Sequence, residues 1–554
     1  MPKNASSSSA GPTLAVVNAR IWTGDPRRPW ADALAVGGDR FTAAGSSEEN
    51  RFTAAGSSAE IRKAITGATR VIDAAGMMVV PGFIDAHVHF IPGGFGLASV
   101  QLREAKTREE FVRRIAQHAA SLSPGEWITR GDWDHELWGG ELPRRDWIDA
   151  MSPHNPVWVN RLDGHMALAN TAALRAAGVD STTGDVDGGT IARDDRGEPT
   201  GIFKDNAQRL IARAVPAPTP EQEDRALDAA MRFVAGKGVT SVHNMGSWRD
   251  LEIFDRAYAR GNLRTRIYAA VPLDTWAQLR EVVSRRGRGD AWLRIGALKG
   301  FVDGSLGSHT AAMLEPYTDA PADRGLFVNA LDDLRAWTVG ADAAGLHVII
   351  HAIGDHAVRV LLDIYEEVER ELGSRDRRFR VEHAQHVAAS DVPRFGRLRV
   401  IASMQPYHAI DDGRWAERLI GPQRAAEAFP IRSLLDAGAD VAFGSDWFVA
   451  PPTPLDGIYA AVTRRTLDGA RPGGWHPEQR INVDEALRAY TSDAAFASFE
   501  EHEKGTIGRG MLADFVVLDR DITQGPVETI PDTRVMMTVV GGRVVHDAGG
   551  LKQL

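Results

Sequence analysis

The chain has 554 residues, 64 basic and 74 acidic, a formal net charge of -10 and no cysteine. That length exceeds one small domain and suits a large barrel with an accessory domain. The charge balance argues against a nucleic-acid partner, which needs a clustered basic surface. Without thiols, only His, Asp, Glu or a modified Lys is left to hold a metal.

The N-terminal stretch MPKNASSSSAGP lacks the apolar core of a signal peptide, and residues 1–12 read as a disordered tail. No segment reaches the roughly 18 uninterrupted apolar residues of a membrane span. With no cysteine, the expected compartment is the cytoplasm. TLAVVNARIWTG, ALAVGGDRFTAAG and TRVIDAAGMMVV follow as short strands separated by Gly and polar turns. RFTAAGSS occurs at 40–47 and again at 51–58. One copy is expected as strand and the other as extra loop.

MVVPGFIDAHVHF (78–90) reads as a buried strand ending in His87 and His89. Side chains two apart on a strand share a face, so two imidazoles arrive side by side. Seven more apolar runs follow, separated by helical segments: GVTSVHNM, RTRIYAAV, LRIGALKGFVDGS, LHVIIHAIGD, FRVEHAQHV, RVIASMQPYH and DVAFGSDWFV. Eight βα units predict an α/β fold, a closed (β/α)8 TIM barrel over 81–499. The gap after the first strand is too long for one crossover, so about 95–225 is an inserted lobe over the barrel mouth. GTIGRGMLADFVVLDRD and RVMMTVVGGRVVHD close the chain as strands again. Residues 13–80 and 500–554 are therefore expected to form one composite β-sandwich.

Chemistry in such a barrel sits at the C-terminal strand ends. There lie His87, His89, Lys299, His351, His383 and Asp446. They suit two divalent ions, zinc first, with Mn or Fe as alternatives. His87, His89 and Asp446 would hold one ion, and His351 and His383 the other. Lys299 in an apolar strand would be carboxylated and bridge them. Asp446 is the expected general base and acid. His386 falls past its strand and reads as structural; His243 and Asn244 end the second strand and could face the pocket. His165 is either a substrate contact or a core residue of the lobe. Asp303 either orients substrate or caps the Gly-rich turn. Trp133, Trp138, Tyr407 and Trp447 near the mouth point to an apolar or aromatic substituent on the substrate, although most lobe tryptophans belong in its core.

Taken together, PGFIDAHVH, LKGFVDGSLGSHTAAM, HAIGD, VEHAQ and GSDW, with NRLDGHMALAN and EPTGIF in the insertion, resemble the amidohydrolase superfamily. The resemblance is to its YtcJ-like group, which includes N-substituted formamide deformylases, and it runs from about 13 to 545. It implies a metal-dependent hydrolase acting on C–N bonds of amides, with a small-molecule partner. A homodimer is the assembly kept in view. A mononuclear deaminase is the alternative; members of that kind carry a Glu where this chain has Gly354. A non-catalytic binding protein on the same fold is a third.

Overall fold

The computed structural model describes residues 11–42, 55–56, 61–62 and 65–554. Its centre is a ring of eight parallel strands: β1 (Phe83–Val88), β2 (Val239–Met245), β3 (Arg266–Pro272), β4 (Leu293–Phe301), β5 (His347–Ala352), β6 (Arg380–His383), β7 (Ile401–Met404) and β8 (Val441–Phe443). Each pairs with the next in sequence order. Beyond β8 the ring closes on β1: the Asp446 N–H donates to the His87 carbonyl at 2.7 Å, and the His89 N–H donates to the Trp447 carbonyl at 2.6 Å. Every strand falls within one of the eight runs expected from sequence, except that β3 ends one residue past its run, at Pro272. Strands such as β5, HVIIHA, are buried along their whole length, as a parallel sheet covered on both faces requires. The helix Asp355–Leu372 that follows buries Val358, Leu361, Leu362, Tyr365 and Val368, one apolar stripe at helical spacing.

The run 78–90 is two strands rather than one. Met78–Pro81 belongs to a second sheet, and β1 starts after Gly82. A Cβ on Gly82 would lie 2.2 Å from Thr240 Oγ1, so the chain passes from one sheet to the other where only glycine fits.

Two six-stranded sheets form the sandwich. In one, Met78–Pro81 lies between Arg20–Trp22 and Phe515–Leu518; in the other, Lys552–Gln553 pairs with Arg70–Asp73. Val16, Ile21, Leu34, Val79, Phe515 and Val517 fill the space between. Both ends of the chain thus build one body. Arg40–Phe41 from the first RFTAAGSS copy and Ala55–Gly56 from the second both pair with Ala33–Gly37. The ladder draws on both copies, not one. Apart from Thr42, the rest of the duplicated RFTAAGSS copies and residues 1–10 of the expected tail lie outside the described residues.

The insertion folds around the sheet Ile128–Thr129, Val157–Asn160, Met166–Ala169, Pro199–Asp205 and Gly189–Arg193, in that spatial order. Phe111, Trp133, Ile148 and Leu168 are among its core residues. The turn between Asn160 and Met166 carries Arg161, Asp163 and His165 down to the barrel mouth. Among the described residues no helix is long and apolar enough to cross a membrane.

Candidate metal centre

The strand ends bring the imidazoles together. Ring centroids of His87 and His383 lie 4.8 Å apart, His351 and His383 4.5 Å, and His87 and His89 5.6 Å. Asp446 Oδ1 stands 3.4 Å from His87 Nε2 and 3.3 Å from His89 Nε2. Lys299 Nζ stands 3.3 Å from His87 Nε2. His89 alone keeps part of its side chain, 25%, open. His383 and Asp446 adopt positive φ angles of 76° and 60°, a strained backbone that clusters at functional sites.

Three of the imidazoles have one nitrogen occupied. His87 Nδ1 donates to Glu382 Oε2 at 2.5 Å, His383 Nδ1 to Gln405 Oε1 at 2.8 Å, and His351 Nε2 to the Gly304 carbonyl at 2.9 Å. An acceptor on one nitrogen places the proton there and leaves the other as a bare lone pair, the form that ligates metal. Burial drives all three well below the ordinary histidine range, and the Lys299 charge adds to this, so the rings are neutral. Burial also pushes the Lys299 ammonium down to about 8. For Asp446 burial acts upward, but its contacts with the neighbouring imidazoles outweigh it and lower the carboxyl to about 2.

A divalent ion fits these residues. Asp446 Oδ1 is buried and accepts no hydrogen bond. One ligand atom each from His87, His383 and Asp446 lies within 4.8 Å of the others. This grouping differs from the expected partition, since His383 shares a set with His87 and Asp446. His89, His351 and Lys299 border it.

A narrow cavity of about 50 Å³ opens above the cluster, lined by Arg161, Asp163, His165, His408 and Trp415 among others. Its floor and walls include His351, His383 and Asp446. His165 lies 5.0 Å from the His351 ring, with Nδ1 on Asp205 Oδ1 at 2.7 Å. Burial depresses the His165 imidazole, but Asp205 and Asp163 outweigh burial and raise it above its ordinary value. Asp163 bonds Arg161 at 2.7 Å and the Ser305 and Ser308 hydroxyls, which ties the lobe to the turn after β4.

Four of the expected substrate contacts fall outside the cavity lining. Trp133 is fully buried, and its indole N–H donates to the Val159 carbonyl; it is lobe core. Asp303 accepts from the N–H groups of Ala312, Ile353 and Gly354, so it clamps turns and stands 3.5 Å behind His351. Tyr407 does not line the cavity. Pro406 starts a helix there, successive side chains diverge by about 100°, and His408 faces in instead. The Trp447 ring packs on Phe90 and Phe233, outside the cavity lining. Trp138, whose indole donates to the Glu141 carbonyl, packs on the lobe core. His243 is occupied by Arg380 and Asn244 by Phe90 and Asp250, so neither faces the cavity. His386 is buried beside Phe429, away from the cluster.

Sequence reasoning did not single out the supporting groups. Glu382 binds His87 through one oxygen and Arg380 through the other; Arg380 also reaches His243, Ser403 and the Ala86 carbonyl. Arg380 and Glu382 are two apart on a buried strand, hence on one face. Two charges at that spacing in an apolar run were the signal available.

Residues 70–546 match the amidohydrolase family. The chain is 39% identical over 546 residues to the protein LONG AFTER FAR-RED 3 of Arabidopsis thaliana, covering 96% of this chain and 91% of that one. It is 30% identical over 561 residues to the N-substituted formamide deformylase of Arthrobacter pascens, covering 97% and 99%. The crystal structure of an uncharacterized metal-dependent hydrolase from Pyrococcus furiosus is similar with a TM-score of 0.71 and 29% identity, covering 92% of this chain and 100% of that one.

Proposed function

The chain is a metal-dependent hydrolase of the amidohydrolase family, and from that premise we propose that it cleaves a C–N bond of the amide or formamide type. The observation that carries this is the donor set. Three buried imidazoles each keep one nitrogen unprotonated, beside a carboxylate oxygen that accepts no hydrogen bond. The family relative named a formamide deformylase supports the bond class.

His87, His89, His351, His383 and Asp446 would hold two divalent ions, zinc first, with a carboxylated Lys299 as the bridging ligand. Burial supports that role for Lys299, because it favours the uncharged amine that takes up carbon dioxide. Bound there, the ions supply polarisation of the substrate carbonyl and acidification of water. The water oxygen adds to the carbonyl carbon while its proton passes to Asp446. As the C–N bond breaks, Asp446 returns that proton to the leaving nitrogen. His165, fixed by Asp205, contacts the substrate from the lobe side of the cavity. The protein works on a small amide in the cytoplasm.

A single-ion enzyme is favoured by one observation: His87, His383 and Asp446 are the one set of three close donors among the described residues. Metal analysis separates the two, with two ions per chain for the bridged centre and one for the other. The activity test is a hydrolysis screen of N-formyl, N-acetyl, carbamate and cyclic-amide substrates on zinc- or manganese-loaded protein. Turnover of one class, lost in Asp446→Asn, is the expected result. Inertness toward all four overturns the bond assignment, and full activity in Asp446→Asn removes that residue from the mechanism.

A further inference from the structure

Beside the hydrolytic cavity, and sharing none of its lining, a groove of about 780 Å³ runs between the lobe and the helix Phe90–Gly96. Phe95, Trp127, Arg130, Trp158 and Phe448 line it among others. We propose that this groove binds a small aromatic carboxylate, with its flat ring against the two indoles and its carboxylate on the Arg130 guanidinium.

The groove has the size of a site for a small organic molecule, roughly 300–1,000 Å³. Arg130 reaches it by an unusual path. The lobe strand Ile128–Thr129 ends, and Arg130, Gly131 and Asp132 follow with φ angles of 70°, 118° and 57°. Left-handed backbone is costly outside glycine, and such strain gathers at ligand clamps. The guanidinium carbon stands 5.9 Å from the Phe95 ring centre. Among the described residues no side-chain hydrogen bond or ion pair engages Arg130. The nearby carboxylates have other partners. Asp132 accepts from Asn160 at 2.7 Å, Asp250 from the Ser247 hydroxyl at 3.1 Å, and Glu126 from the Ser123 N–H at 2.6 Å. Arg130, Trp127 and Trp158 are each half-buried, so they keep surface open to a ligand.

Aromatic walls with one unengaged guanidinium suit a ligand made of the same two parts. A flat ring gains area and ring contacts against indole faces. The guanidinium offers parallel N–H groups to the two oxygens of a carboxylate. Asp132 and Asp250 lie close enough to act on the Arg130 charge. They disfavour a dianion such as phosphate, which leaves a single negative charge as the better match. Phe448 stands between the groove and the metal centre: its ring lies 5.8 Å from that of His89, and a Cβ on Gly164 would lie 3.4 Å from its edge. The proposed hydrolysis uses neither Arg130 nor the two indoles, so each reading can fail without the other.

The test is calorimetric titration of the full-length, metal-loaded protein with 1-naphthoate, 1-naphthalenemethanol and acetate at constant ionic strength. Naphthoate should saturate one site per chain, about tenfold or more tightly than the alcohol, and acetate should bind more weakly than either. Naphthoate binding should persist after metal removal, which separates the groove from a carboxylate held at the metal centre. Arg130→Gln should erase the advantage of the acid over the alcohol, and Trp127→Ala should weaken both. Equal affinity for acid and alcohol, unchanged naphthoate binding in Arg130→Gln, loss of binding with the metal, or no saturable site would each overturn the proposal. If Arg130→Gln does not fold, Trp127→Ala decides, and unchanged naphthoate affinity there rejects it.

Discussion

Glu382 and His87 are separated by 295 positions in the chain and meet at 2.5 Å in the barrel interior, Oε2 against Nδ1. Neither side chain has any exposed surface, and Arg380, equally buried, holds the second Glu382 oxygen at 2.7 Å. The contact sets which nitrogen of His87 is bare. It also keeps Arg380 from being an uncompensated charge.

Glu382→Ala should therefore act twice. Stranding Arg380 should cost about 3–5 kcal/mol of stability, read by urea denaturation. Glu382→Gln, which keeps an acceptor of similar shape, should fold better and bind metal about 10–100-fold more weakly, read by competition with a chelator.

Asp446→Asn should lower kcat by about 10²–10⁴ at saturating metal. Measuring activity against metal concentration separates loss of the proton carrier from loss of a ligand. Only the second is repaired by more metal.

The His165–Asp205 pair should give a pH signature in metal-free protein. The folded-state value of His165 is raised, with Asp205 and Asp163 overcoming burial. Its protonation thus contributes stability that is complete below the unfolded value near about 6.5 and is lost as pH rises through the folded value. The gap in Tm between wild type and Asp205→Asn should be widest in acid and close toward alkaline pH. An unchanging gap would count against the pairing.

Gly444 sits where β8 passes β1. A Cβ there would lie 2.5 Å from the His87 backbone nitrogen and 2.9 Å from its Cβ. Gly444→Ala should displace His87, lowering stability by about 1–3 kcal/mol and metal content together.

Trp133→Ala should reduce stability by about 3–5 kcal/mol, as for a large buried ring, while KM of the folded fraction stays unchanged. A large KM shift without loss of stability would restore Trp133 to the substrate site.

The barrel was legible because parallel strands covered on both faces leave near-continuous apolar runs, as in HVIIHA of β5. The split at Gly82 was hidden by apolar residues on both sides of it. The six clustered side chains stood out because imidazole, ammonium and carboxylate are conspicuous at the ends of apolar strands. Their supports did not, since Glu382–His87, Gln405–His383 and Asp205–His165 are pairings between distant segments that no local pattern encodes. Trp133 misled because an indole serves a core and a pocket equally well. Tyr407 and His408 are adjacent, and only the helical turn begun by Pro406 decides which one faces the cavity.

Met78–Pro81 runs directly into β1 and is flanked by Phe515–Leu518, which lies far along the chain. During synthesis its hydrogen-bonding edge waits open until Phe515–Leu518 has left the ribosome. A truncated product keeps that edge bare, next to the histidine-bearing strand. Termination or clipping before this strand should consequently yield aggregation-prone chains with a loosened barrel mouth, though all six clustered side chains are still present.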